Sequence, residues 1–275
     1  MNEILVRTWQ LLSQNWILLG PVLIETVIML VFTSGGGMGE GSAMSILALF
    51  FLHQALLGGW LYQMKIVLLQ REPKTSLDDF FEGLARYFWP MLNGASVFFL
   101  LFMLLFMLGS LLSEAWFGPL DQGLIEKALP LVQNGNLEKL QSLMQTEAAK
   151  VLVFLQWAQV LVGAFTLLAI VGVVTSFWQQ YCVLGQLTWW QAWKRSKNLI
   201  FKFPGKITYL GFLWLIPTVI LQFFMLSGQA VLQILAMGLD LVVKTYFTLL
   251  FCQIVFDLDR ESVTPLPGAQ ETPRL

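Results

Sequence analysis

Asp240 and Lys244 stand four residues apart inside an otherwise apolar stretch, Ala230 to Phe256. On a helix that spacing places the two side chains one turn apart, where opposite charges pair. Insertion scales put a charge at mid-bilayer at roughly 2.5–3.5 kcal/mol, so a pair at that depth needs a reason. Glu25 lies in a second apolar stretch and is expected either to be protonated or to pair with Lys244. Glu25, Asp240 and Lys244 together form a candidate intramembrane polar site. Its chemistry would be an ion or proton path, or the capture of a polar substrate. The alternative is a structural ion pair inside a helical bundle, or one close enough to an interface to reach water.

His53 is the single histidine and is followed by Gln54. A lone imidazole does not assemble a typical zinc site, and no CxxC spacing involves Cys182 or Cys252, so no metal or cofactor is expected. Interhelical hydrogen bonding is the expected role of His53, and burial as small apolar residues that of the cysteines. Asp78-Asp79-Phe80-Phe81-Glu82 has the spacing of the acidic magnesium motif of prenyl-diphosphate enzymes. Those enzymes need a second acidic motif, and none is apparent. Ser76-Leu77-Asp78-Asp79 also reads as a capping box whose acids complement a helix dipole. Gly35-Gly36-Gly37-Met38-Gly39 follows no strand and reads as a turn. Patterns for serine hydrolases, zinc proteases and nucleotide phosphates are absent, and the expectation is that the chain is not an enzyme.

The elements that position these residues follow from composition. Of 275 residues, 57% are hydrophobic and 12% charged, against about a quarter charged in soluble domains. Such a chain finds its solvent in lipid, with apolar side chains facing outward. A spanning helix takes about 20 apolar residues. Six stretches qualify, near residues 16–32, 44–68, 90–112, 151–177, 207–225 and 230–256. They make one polytopic domain over residues 1–261, followed by a flexible cytoplasmic tail, 262–275. The N-terminus lacks the features of a cleavable signal peptide and is expected in the mature protein.

Positive charge chooses the orientation. Lys65, Arg71, Lys74 and Arg86 lie between spans two and three; Lys194, Arg195, Lys197, Lys202 and Lys206 lie between spans four and five. Arg7, Arg260 and Arg274 lie at the ends, whereas the alternate connections hold Lys127, Lys139 and Lys150. Retention of positive charge inside places both termini in the cytoplasm. The long connection from Ser113 to Lys150 is then external, with a turn at Asn134-Gly135. Asn136 is expected to cap a helix carrying Leu137, Leu140 and Met144 on one face.

Three amphipathic stretches precede spans one, three and five. Leu5, Trp9, Leu12 and Trp16 recur at helical spacing; so do Leu77, Phe80, Phe81, Leu84 and Phe88, and again Trp189, Trp193, Ser196, Ile200 and Phe203. Prolines follow each: Pro90 and Pro204 read as corners where an interfacial helix turns into the membrane, and Pro21 sits deeper. The pattern suggests three repeats, each an interfacial helix plus a two-span hairpin. Lys194, Arg195, Lys197 and Lys202, beside Trp189, Trp190 and Trp193, are candidate contacts to lipid headgroups.

The segment Gln186-Leu187-Thr188-Trp189-Trp190-Gln191-Ala192-Trp193-Lys194-Arg195-Ser196 resembles one in a broad group of bacterial six-span proteins. In that group a polar turn after the fourth span leads into an Ala-x-(Lys/Arg)-Arg-Ser helix, matched by Ala192, Lys194, Arg195 and Ser196. The group includes the membrane domain attached to some glycerophosphodiester phosphodiesterases. The resemblance implies a bacterial inner-membrane protein of that layout. It implies no phosphodiesterase activity, since the soluble catalytic domain is not in this sequence, and no catalytic residues carry over. The resulting expectation is an all-α, non-catalytic membrane protein acting in envelope maintenance or lipid interaction. Its partners would be membrane lipids and possible membrane proteins, not nucleic acid. A transporter using Glu25, Asp240 and Lys244 is the alternative.

Overall fold

The computed structural model describes residues 2–34, 42–69, 74–133, 136–225 and 229–260. The glycine-rich turn at 35–39, the turn at Asn134-Gly135, most of the short connection 226–229 and the tail 262–275 lie outside them. The described residues are helical, with no strand. They form α1 (Asn2–Gln14), a short 3-10 turn (Trp16–Leu19), α2 (Gly20–Ser34), α3 (Ser42–Leu69) and α4 (Leu77–Phe117). Then follow α5 (Gln122–Gln133), α6 (Leu137–Thr146), α7 (Ala148–Val174), α8 (Trp178–Leu184), α9 (Trp189–Lys202), α10 (Pro204–Met225) and α11 (Ala230–Arg260).

Four helical segments are long and apolar enough to cross a membrane: Leu77–Phe117, Ala148–Leu184, Pro204–Met225 and Val231–Leu258. A fifth is added if Glu3–Gln14 and Trp16–Val31, bent by 91°, count as one. Helices satisfy their own backbone polar groups, which is what a lipid solvent demands. Apolar side chains such as Phe212, Phe223 and Ile234 accordingly stand exposed. The 28-residue α3, Ser42–Leu69, is not counted among the four.

The chain divides into two compact units, Met1–Ala95 with Val174–Leu275, and Ser96–Val173. In the first, α11 is the central helix: 33% of its spanning window is buried, against 11% for α10. Leu249, Leu250, Cys252 and Val255 of α11 are buried, together with Leu12, Leu61, Met64 and Tyr181. α1 docks on α11 through polar contacts. Thr8 Oγ1 donates to Gln253 Oε1 at 2.7 Å, and the Tyr246 hydroxyl donates to the Leu5 carbonyl at 3.2 Å.

Two of the amphipathic faces differ from expectation. In α1 the buried positions are Thr8, Leu11 and Leu12, while Trp9 is 50% exposed and Trp16 is also exposed. At the start of α4, Phe80, Gly83, Tyr87 and Met91 face inward, and Leu77 and Phe81 face outward. The reason is close helix approach, which favours small or polar residues at the seam and leaves bulky aromatics to lipid. A Cβ on Gly59 would stand 2.6 Å from the Phe80 carbonyl, and one on Gly83 2.3 Å from Tyr62 Cβ. α3 and α4 therefore meet backbone to backbone. In α9 the buried residues are Ala192, Ser196 and Leu199, with Trp193 and Ile200 at the margin.

The three corners are also not alike. Pro204 opens α10 directly after Phe203 closes α9, as a helix-starting proline should. Pro90 makes no corner: α4 runs through it for 41 residues, so the amphipathic stretch and the apolar stretch form one helix. A proline inside a helix withholds one backbone donor, a loss that an embedded helix tolerates when neighbours serve the freed carbonyl. The first bend lies at Asn15 rather than Pro21, which sits in the first turn of α2. There Asn15 Nδ2 donates to the Leu11 carbonyl at 2.9 Å and Oδ1 accepts from the Thr75 amide at 3.2 Å. Trp60 Nε1 reaches the Leu18 carbonyl at 2.8 Å. Carbonyls orphaned by the break are thus served by side chains.

In the second unit the connection from Ser113 to Lys150, expected as a loop with one helix, is mostly helical. α4 extends to Phe117 and stops at Gly118, whose φ of 85° suits glycine. Asn136 Oδ1 caps α6 by accepting from the Lys139 amide at 3.2 Å. α5 was not anticipated; Asp121 Oδ1 caps it at the Leu124 amide, 3.2 Å away. Leu124, Ile125, Leu140, Leu143, Met144 and Phe154 line an apolar cavity of about 320 Å³ between α5, α6 and α7.

Candidate functional site

In α11 the i, i+4 spacing brings Asp240 Oδ2 to 2.6 Å from Lys244 Nζ. Asp240 is 5% exposed and its Oδ1 has no hydrogen-bond partner. The Lys244 side chain is 49% exposed, so its long stem carries the ammonium outward while the carboxylate stays within. Glu25 does not take Lys244 as its closest partner. Its Oε1 lies 2.7 Å from His53 Nδ1, which ties α2 to α3. Lys244 stands within electrostatic reach of Glu25. The three residues singled out from the sequence, with His53 added, thus form one array across α2, α3 and α11. Two carboxylates alternate with one fixed cation and one imidazole. Such a set can hold a proton or a cation. Among the described residues no group of three His, Cys, Asp or Glu side chains could hold a metal ion. His53 was missed as a member because 28 residues separate it from Glu25 and nothing local joins them.

The basic set on α9 is sorted by helix face. Lys194, Lys197 and Lys202 are exposed and Arg195 is half-buried. The Lys194 ammonium lies over the Trp190 ring at 5.2 Å, and Lys202 and Lys206 lie over Phe203 at 5.3 and 5.1 Å. Trp190 and Phe201 share this outer face and are exposed. The inner face holds Ser196, whose Oγ accepts from the Phe177 amide at 3.0 Å. Within the segment 192–196, then, Ser196 anchors α9 to the turn before α8, Ala192 is buried, and Lys194 faces outward.

The acidic run on α4 does not converge. Asp79 Oδ2 turns back to the Ser76 amide at 2.7 Å and to the Thr75 and Ser76 hydroxyls. Glu82 Oε1 accepts from the Tyr62 hydroxyl at 2.9 Å, and Asp78 is exposed. The run starts a helix and leaves no shared carboxylate cradle. Cys182 and Cys252 are free and buried.

A groove of about 450 Å³ went unnoticed in the sequence. It lies between α4 and the turn from α8 to α9, and is lined by Arg86, Trp89, Asn93, Gln186, Thr188 and Trp189 among others. Gln186 holds a φ of 50°, left-handed for a non-glycine residue, and its Oε1 accepts from the Arg86 guanidinium at 3.3 Å. The groove joins residues 100 apart in sequence, which no local pattern reveals.

In the second unit, Lys150 Nζ lies 2.8 Å from Asp121 Oδ2 and 3.1 Å from Glu147 Oε2, with Lys127 at 3.6 Å from Glu147. Hydrogen bonding to Lys150 holds both carboxyls below their ordinary values. Compared with protein-family models, with curated proteins and with solved structures, the chain finds no match.

Proposed function

We propose that this chain is a non-catalytic multi-pass protein of the bacterial inner membrane that acts through contact with lipid, in the maintenance of the envelope. The observation that carries this reading is the outer face of α9. There Trp190 and Phe201 stand exposed beside Lys194, Lys197 and Lys202. Aromatic rings favour the water–lipid boundary, and each basic side chain near an anionic leaflet gains about 1 kcal/mol. The six-span layout assigns α2, α3, α4, α7, α10 and α11 to the membrane with both termini inside. The basic connections support it. The 91° bend before α2 and the Pro204 junction before α10 support a repeat of interfacial helix plus hairpin, and the unbroken α4 departs from it. The likeness of residues 186–196 to the phosphodiesterase-associated membrane domains is consistent with this layout.

The test is lipid retention. Purified protein carrying Lys194→Gln, Lys197→Gln and Lys202→Gln together should keep less anionic lipid than wild type by mass spectrometry. Equal retention would remove α9 from lipid contact. A reporter fused after Leu275 should be active on the cytoplasmic side.

A second reading, a transporter, is favoured by one observation: the buried Asp240 carboxylate leaves Oδ1 unbonded. Buried polar atoms are nearly always satisfied, and intramembrane charges commonly mark ion paths. Proteoliposome flux of protons or sodium should fall in Asp240→Asn if the array conducts; unchanged flux would leave the pair structural.

A further inference from the structure

We propose that the groove between α4 and the α8–α9 turn binds the phosphate of an anionic glycerophospholipid. This rests on the lipid-contact reading above and names a specific seat for one headgroup, distinct from the outer face of α9.

Charge is the first reason. Arg86 lines the groove and carries five donors, of which one reaches Gln186 at the long distance of 3.3 Å. Its guanidinium otherwise rests 5.6 Å from the Tyr87 ring centroid, and no ion pair engages it among the described residues. Glu82, one turn earlier, accepts from Tyr62 instead. Next to the groove residue Cys182, the Val183 carbonyl accepts from the buried Lys65 at 3.1 Å, and no carboxylate pairs with Lys65 among the described residues. Lys65 and Arg86 are close enough for their charges to oppose each other. A buried cation is ordinarily paired, and an anion held by the exposed Arg86 would offset the unpaired charge of Lys65.

Unused polar capacity is the second reason. Tyr87, on the groove wall, is 4% exposed and its hydroxyl has no hydrogen-bond partner. Asn93 adds an exposed polar side chain, and the N-terminus of the 14-residue α9 opens here, with Thr188 engaged by Gln191 in its capping box.

Shape and position supply the third reason. The volume of about 450 Å³ falls within the range of small-molecule sites, roughly 300–1,000 Å³. One wall is apolar, formed by Trp89, Pro90, Leu187 and Trp189, and Trp89 is 64% exposed. A phosphate on Arg86 with its glycerol and first acyl carbons along that wall matches the division. The lining carries a cation and no carboxylate, which selects against headgroups that present an ammonium.

The experiment uses full-length protein in nanodiscs of equal phosphatidylglycerol and phosphatidylcholine, with retained lipid read by native mass spectrometry after detergent extraction. Arg86→Gln should lower phosphatidylglycerol retention roughly tenfold, the loss of one charge-assisted contact. Tyr87→Phe keeps the ring, removes a hydroxyl that has no partner in the fold, and should lower retention several-fold at unchanged melting temperature. Lys139→Gln, an equal loss of charge in the second unit, should do nothing. Competition with inorganic phosphate and glycerol 3-phosphate separates the sources. Millimolar excess that fails to displace the lipid supports the headgroup. Displacement by phosphate alone, at the affinity of the lipid, overturns it. If Arg86→Gln and Tyr87→Phe retain lipid as wild type does while the α9 triple variant loses it, the groove proposal falls and the lipid-contact reading stands. If wild type retains no anionic lipid, both fall.

Discussion

Removing the cation from the α11 pair should cost more than removing the anion. Asp240 is buried and bonded through one oxygen to Lys244 at 2.6 Å, with the other oxygen unbonded. Lys244→Met therefore leaves a buried carboxylate with no compensation on its own helix. Breaking a fully buried pair from one side costs about 3–5 kcal/mol. Lys244 is 49% exposed, so part of its charge is already solvated and the figure falls to about 2–3 kcal/mol. Asp240→Asn instead leaves a half-exposed ammonium that can extend toward the interface, at about 1 kcal/mol. The double variant Asp240→Leu with Lys244→Met removes both charges and should fall within about 1 kcal/mol of wild type. Equilibrium unfolding in mixed micelles, followed by helical circular dichroism, measures all four proteins. Should Asp240→Asn prove as damaging as Lys244→Met, burial of the carboxylate is not what sets the energetics, and the reasoning fails.

Three further outcomes follow from the packing. Gly59→Ala should destabilise by about 1–3 kcal/mol through overpacking, because its Cβ would meet the Phe80 carbonyl at 2.6 Å; Gly238→Ala, with open space around it, should be neutral or stabilising by thermal melting. Gln253→Leu should cost about 0.5–1.5 kcal/mol by removing the bond between α1 and α11, since the Thr8 hydroxyl keeps the Ile4 carbonyl at 2.8 Å, and should raise amide exchange across α1 ahead of the other helices of its unit. Acid should loosen the α5–α7 connection. Asp121 and Glu147 have carboxyls held below their reference values of 3.8 and 4.5, so their pairing with Lys150 contributes fully above those values. The contribution is lost as pH falls through the lowered ones. Protection of the amides at residues 122–133, taken relative to the intrinsic exchange rate at each pH, should therefore fall on acidification, and Lys150→Gln should flatten that dependence.

What could be read from the chain without its tertiary structure was what depends on neighbours in sequence. Apolar runs became the long helices α4, α7, α10 and α11, because about 20 apolar residues suffice to demand a helix in lipid whatever surrounds it. The caps at Ser76–Asp79 and Asn136–Lys139 were visible because four consecutive residues contain the whole interaction. Asp240 and Lys244 were paired by helical spacing alone. Other features needed the fold. Helix faces were misjudged in α1 and at the start of α4, where Trp9, Leu77 and Phe81 turned outward. Hydrophobic periodicity points inward when the exterior is water; against lipid an aromatic ring gains as much outside, and close glycine contacts choose the seam. Pro90 reads as a corner from local rules, yet packing of α4 on α3 carries the helix through it. The link of Glu25 to His53, and the meeting of Arg86 with Gln186, join residues distant in sequence. Which polar groups share a site was decided by how the helices pack, since in a low-dielectric interior a charge takes whatever partner the neighbouring helix brings within reach.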